Sequence, residues 1–148
     1  MNPVCTLNRR ILVIDASPNN LEDFRKILRP VESFALDNCS EFKQDLLNEA
    51  FPHCGKEPFD LDCVDNGMSG YVLVKQAKVC GSPFAVAFLD VQLLNGWDGF
   101  ETVERIWEED PGVQVVLCAA NPDSSWSEAL NRLGHRDQLV ILRKPFDP

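Results

Sequence analysis

The chain has 148 residues, with 14 Lys and Arg against 23 Asp and Glu for a formal net charge of −9; this length suits one domain with its own core. Its 45% apolar and 25% charged content excludes wholesale disorder, and the acidic balance excludes a nucleic-acid binder, which needs a basic stripe. No run of 18 apolar residues could span a membrane, and the short run after Arg9-Arg10 ends at Asp15 without a signal-peptide cleavage pattern. A soluble, cytoplasmic single domain over residues 1–148 is expected.

Arg10 to Ile14 reads as a buried strand that ends at an acid, Asp15. Ser17-Pro18 then reads as a helix cap followed by proline at the first helical position. Leu21, Phe24, Ile27 and Leu28 recur on one helical face until Pro30 stops it. Residues 31–58 break the rhythm: Ser40 and the stripe Phe42, Leu46, Leu47 and Ala50 predict an inserted helix, closed by Pro52, Gly55 and Pro58. Phe59 to Val64 alternates with Asp60 and Asp62, the pattern of a strand near a sheet edge. Met68, Tyr71, Val72 and Val79 mark the next helix, closed by Gly81.

Phe84 to Leu89 is apolar on both faces, as a central parallel strand should be, and again an aspartate, Asp90, ends it. Asp98-Gly99-Phe100-Glu101 opens a helix with an acid at the cap and a glutamate three residues on. Phe100, Val103, Ile106 and Trp107 form its buried face. Val113 to Cys118 is the fourth strand; Trp126, Ala129, Leu130 and Leu133 predict a helix ended by Gly134. Leu139 to Leu142 is the fifth strand, leading into Arg143-Lys144-Pro145-Phe146.

This alternation predicts an α/β fold, a doubly wound five-stranded parallel sheet with right-handed crossovers. Chemistry in such sheets gathers at the carboxyl ends of the strands, near the topological switch point. That rule selects Asp15, Asp90, Ala119, Ala120 and Lys144. Two carboxylates and a lysine at one edge can share a hard divalent ion with a phosphoryl oxygen, and one carboxylate can attack phosphorus to form an acyl phosphate. The plainer reading is that strand-end aspartates cap helices and that Lys144 is surface charge. Placement of all three at strand ends favours a shared site. The six cysteines (Cys5, Cys39, Cys54, Cys63, Cys80, Cys118) have irregular gaps and no C-x-x-C, so reduced, structural thiols are expected. His53-Cys54 and the isolated His135 lack zinc-ligand spacing.

Ile11-Leu12-Val13-Ile14-Asp15, Ala87-Phe88-Leu89-Asp90, Asp98-Gly99-Phe100-Glu101 and Lys144-Pro145-Phe146 resemble the response-regulator receiver domain of two-component signalling, over roughly residues 9–148 apart from the insertion. The loop Asn95 to Gly99 and the segment Cys118 to Trp126 are similar to a receiver subgroup of larger multidomain sensors and regulators. The resemblance implies a flavodoxin-like receiver fold and a phosphorelay function. Asp90 would be the phosphoacceptor, served by a phosphohistidine on a histidine kinase or a histidine phosphotransfer protein. Asp15, Asp90 and the backbone carbonyl of Gln92 would bind Mg²⁺. Lys144, with Ala119 and Ala120, would lie against the phosphoryl group. A non-enzymatic signalling role follows, with a homodimer and a separate output domain or partner as further expectations.

Three departures from the family pattern qualify this. Ala16 stands where a second acid normally touches the metal, so weak Mg²⁺ binding and slow phosphorylation are expected. Its lack of charge relieves repulsion worth about 1 kcal/mol in the metal-free site. Ala119 stands where a hydroxyl normally binds the phosphoryl group, and Ile141 where the aromatic switch residue falls. The alternative is therefore a phosphorylation-independent pseudo-receiver acting as a protein-interaction module. A phosphatase of the haloacid-dehalogenase type would need D-x-D, but Asp15-Ala16-Ser17 lacks the second acid. A flavin binder would need a hydroxyl-rich loop that Ala16-Ser17-Pro18-Asn19 does not supply. Because a receiver ordinarily carries a fifth helix beyond Lys144, its apparent absence leads to the expectation of a piece of a larger signalling protein with an open apolar patch.

Overall fold

The apolar runs become the strands of one sheet in the computed structural model, which describes residues 7–28, 59–94, 96–120, 126–134 and 136–144. The order is β1 (Arg10–Ile14), α1 (Pro18–Leu28), β2 (Asp60–Val64), α2 (Gly67–Val79), β3 (Val86–Asp90), α3 (Gly99–Glu109), β4 (Gln114–Ala119), α4 (Trp126–Leu133) and β5 (Leu139–Arg143). All pairings are parallel and the spatial order is β2-β1-β3-β4-β5. This is the doubly wound sheet that the alternation predicts. Among the described residues each helix lies between two successive strands and none follows β5. The helix expected within 31–58, and Pro145-Phe146, lie outside the described residues.

The centre of the sheet is buried on both sides, which is why β1 and β3 carry nearly unbroken apolar runs. On one face Leu12, Ile14, Leu89, Val115 and Leu117 meet Val74 of α2, Val103, Ile106 and Trp107 of α3, and Leu133 of α4. On the other, Ile11, Val13 and Cys118 meet Leu21 and Phe24 of α1, with the rings of Phe24 and Phe88 5.1 Å apart. Trp107 fills the core and donates its indole N–H to the Val113 carbonyl at 2.9 Å. At the β2 edge, Asp60 and Asp62 pair with Arg10 at 3.5 and 3.1 Å. The Arg10 guanidinium also lies 4.3 Å from the Phe84 ring. At the β5 edge, Val140, Ile141 and Leu142 are exposed.

In α2 the apolar residues that mark the helix are mostly not the ones it buries. The segment is helical, but Met68, Val72 and Val79 point to solvent, and the inner face consists of Gly67, Gly70, Val74 and Ala77. The cause is close approach. A Cβ on Gly70 would stand 2.2 Å from Cδ1 of Ile14, and one on Gly67 would stand 2.1 Å from Oγ1 of Thr102. Where a helix lies this near the sheet, small residues mark the buried side and hydrophobicity alone misreads it. Ile27 of α1 likewise faces solvent, while Leu21 and Phe24 make the contact.

Candidate functional site

The chain leaves β1 toward the β2 edge and returns to β3 on the other side, so the switch point lies between β1 and β3. Asp15 follows β1 and Asp90 ends β3, which places the two carboxylates on either side of that crevice. Lys144 follows β5, and its backbone N–H donates to the Ala119 carbonyl at 2.8 Å, pinning it to the end of β4. From there its ammonium reaches across to Oδ2 of Asp15 and to Oδ2 of Asp90, each at 2.9 Å.

The two acids differ in environment. The Asp15 side chain is 2% exposed and that of Asp90 14%. Besides Lys144, Asp15 accepts the Ser17 N–H on Oδ1 at 2.8 Å and the Asn20 side-chain amide on Oδ2 at 3.0 Å. The Ser17 contact is an Asx-type turn that carries β1 into α1. Among the described residues, Asp90 accepts the Gln92 N–H, on Oδ1 at 3.1 Å, besides the lysine. Burial alone would lower the Lys144 pKa, but hydrogen bonds to Asp15 and Asp90 and their negative charges outweigh it and raise it. The lysine therefore stays charged throughout the physiological range.

The loop beyond Asp90 is held by backbone contacts. Val91 N–H donates to the Cys118 carbonyl and Gly99 N–H to the Val91 carbonyl, both at 3.0 Å. Asp98 caps α3 by accepting the Glu101 N–H at 2.8 Å. A Cβ on Gly99 would stand 2.6 Å from the Asp90 carbonyl oxygen and 2.6 Å from Cα of Val91. The glycine of the Asp98-Gly99-Phe100-Glu101 run thus lets α3 begin against the backbone of the site.

The donor set suits a hard cation in kind. Asp15 and Asp90 offer carboxylate oxygens, and Mg²⁺ commonly takes one or two carboxylates and completes its shell with water and phosphoryl oxygens. It does not amount to an all-protein cage, since no group of three His, Cys, Asp or Glu side chains gathers among the described residues. Ala16 is partly buried beside Asp15 and adds no oxygen donor from its side chain.

Of the residues expected at the site, the structure brings Asp15, Asp90 and Lys144 into direct contact. Gln92 touches Asp90 through its N–H, and its side chain is exposed. Ala119 is buried at the end of β4, where it accepts from Lys144; Ala120 is exposed. Trp97, the nearest tryptophan in sequence, packs edge-on to Tyr71 at 5.7 Å and lies 5.4 Å from the Arg105 guanidinium, so its partners belong to α2 and α3. Asn20 is the contact that the sequence reading missed. The available signal was a polar residue in the first turn of a helix that starts beside a strand-end acid. Cys118, paired in register with Asp90, is buried, and burial pushes its thiol up to about 12.

No protein-family model matches the chain, and no curated protein matches it. Solved structures do match. A signal receiver domain of an HD domain-containing protein from Pseudomonas fluorescens is 16% identical with a TM-score of 0.64, the match covering 99% of this chain and 84% of that one. A CheY-like response regulator receiver domain protein from Methanospirillum hungatei is 18% identical with a TM-score of 0.61, covering 96% and 86%. A CheX–CheY–BeF₃–Mg²⁺ complex from Borrelia burgdorferi is 16% identical with a TM-score of 0.62, covering 93% and 79%. The sheet order, the two strand-end aspartates and these likenesses agree: the chain has the CheY-like fold of response-regulator receiver domains.

Proposed function

We propose that the chain is a phosphorelay receiver in which Asp90 accepts a phosphoryl group from the phosphohistidine of a histidine kinase or a histidine phosphotransfer protein. The observation that carries this reading is the Lys144 ammonium held by both strand-end carboxylates at the switch point. Asp90 is the acceptor because it is the more accessible acid, with fewer donors among the described residues, while Asp15 is buried and accepts from Ser17, Asn20 and Lys144. An Asp90 oxygen forms the new P–O bond as the donor's P–N bond breaks and its electron pair stays on the imidazole nitrogen. Lys144 lies where it can neutralise the developing phosphoryl charge. Asp15, Asp90 and the Gln92 carbonyl would hold Mg²⁺, which when bound supplies further charge neutralisation. With Ala16 in place of an acid, that binding is weak. Output, and any homodimer, is then a matter for other surfaces or partners.

A second reading, a pseudo-receiver that works by protein contacts alone, is favoured by one observation. Ala119 brings no hydroxyl to the site, and Ile141 on β5 is 41% exposed, so the usual switching pair is missing. Treating the chain with acetyl phosphate and Mg²⁺ and weighing it intact separates the two. A phosphoryl adduct that disappears in Asp90→Asn is expected. An unmodified chain beside a competent control receiver would leave the pseudo-receiver.

A further inference from the structure

Asn20 has no part in the family resemblance, yet its side-chain amide donates to Oδ2 of Asp15 at 3.0 Å, the same oxygen that accepts the Lys144 ammonium at 2.9 Å. It is the third residue of α1, partly buried, and it reaches back over the helix start to the end of β1. Asp15 is thereby held from two sides, by Ser17 N–H on Oδ1 and by Asn20 on Oδ2. Ala16, where a second acid would hold the cation, contributes no side-chain polar atom.

From this geometry we infer that Asn20 is the positioning residue for the cation-binding carboxylate, holding Asp15 from the start of α1. The inference rests on the reading of Asp15 as a cation ligand. A neutral amide suits a metal-free site whose two carboxylates already share one ammonium, because it orients Asp15 without adding a third negative charge. It also carries a hard oxygen of the kind Mg²⁺ accepts. The position differs from an ordinary helix-start polar residue in this respect: its partner is the buried acid at the switch point.

The test is the Mg²⁺ dependence of thermal unfolding of the full chain at constant ionic strength, with no phosphoryl donor present, from which affinity follows by linkage. Removal of a residue that orients a metal ligand commonly weakens binding about 10–100-fold, so Asn20→Ala should weaken Mg²⁺ binding about tenfold. Asn20→Ser keeps a side-chain donor and should retain more of the Mg²⁺ affinity than Asn20→Ala. A merely structural asparagine would shift the metal-free midpoint in both variants and leave the Mg²⁺ increment unchanged, and that result overturns the inference. A wild-type chain with no Mg²⁺ increment overturns the reading of Asp15 as a cation ligand, and the inference with it. Metal uptake is read here without phosphorylation, so a failure of Asp90 to accept a phosphoryl group does not bear on this outcome.

Discussion

Lys144→Met keeps much of the aliphatic stem and removes the ammonium that Asp15 and Asp90 share. Both carboxylate oxygens lie 2.9 Å from that nitrogen. They therefore stand within about 6 Å of each other, where two unit charges repel by about 3 kcal/mol at an effective dielectric constant near 20. Breaking a buried pair from one side costs about 3–5 kcal/mol. Asp15 keeps its Ser17 and Asn20 donors and the lysine is 16% exposed, so a loss of about 2–4 kcal/mol is expected at pH 8. The variant can escape part of this by protonating one carboxylate, whose folded pKa would then lie above its unfolded value near 3.9. A raised carboxyl pKa means that the folded state binds the extra proton, so the deficit shrinks as the pH falls from 8 to 5. The wild-type lysine has the opposite signature. Its pKa is raised above the usual 10.5, so its contribution is complete below that value and is lost as the pH rises through the folded pKa. Urea unfolding at pH 5 and 8, with an alkaline series above pH 10, measures both effects. A loss below about 1 kcal/mol, equal at the two lower pH values and with no difference in the alkaline series, would refute a neutralising role for Lys144.

Three further outcomes follow from the geometry. Gly99→Ala drives a methyl into the backbone of Asp90 and Val91, so thermal denaturation should show a loss of about 1–3 kcal/mol, the cost of overpacking, with weakened phosphorylation at Asp90. Ala16→Asp adds a carboxylate beside Asp15 and should tighten Mg²⁺ binding, read by the Mg²⁺ dependence of unfolding; an unchanged dependence would argue against a ligand role for position 16. Alkylation followed by peptide mass mapping should label exposed Cys80 and spare buried Cys118 in the native chain, because the Cys118 thiol, pushed up to about 12, holds its proton at neutral pH.

Local patterning was sufficient for the frame of this molecule. The apolar runs at β1 and β3 and the amphipathic stretches at α1, α3 and α4 state their own class, because a strand buried on both faces and a helix buried on one leave different periods in the chain. The strand-end rule then puts Asp15, Asp90 and Lys144 at one edge of the sheet. Long-range packing had to settle the rest. The inner face of α2 carries glycine and alanine because the helix lies almost against Ile14 and Thr102, and a near approach between distant segments leaves no hydrophobic period to read. The same holds for Lys144, whose residue type promises charge but whose bonds to two carboxylates, 129 and 54 residues away, exist only once β5 lies beside β4. Asn20 belongs to this second group. Its sequence position marks an ordinary helix start, and it becomes part of the site because α1 begins directly beside the buried acid at the end of β1.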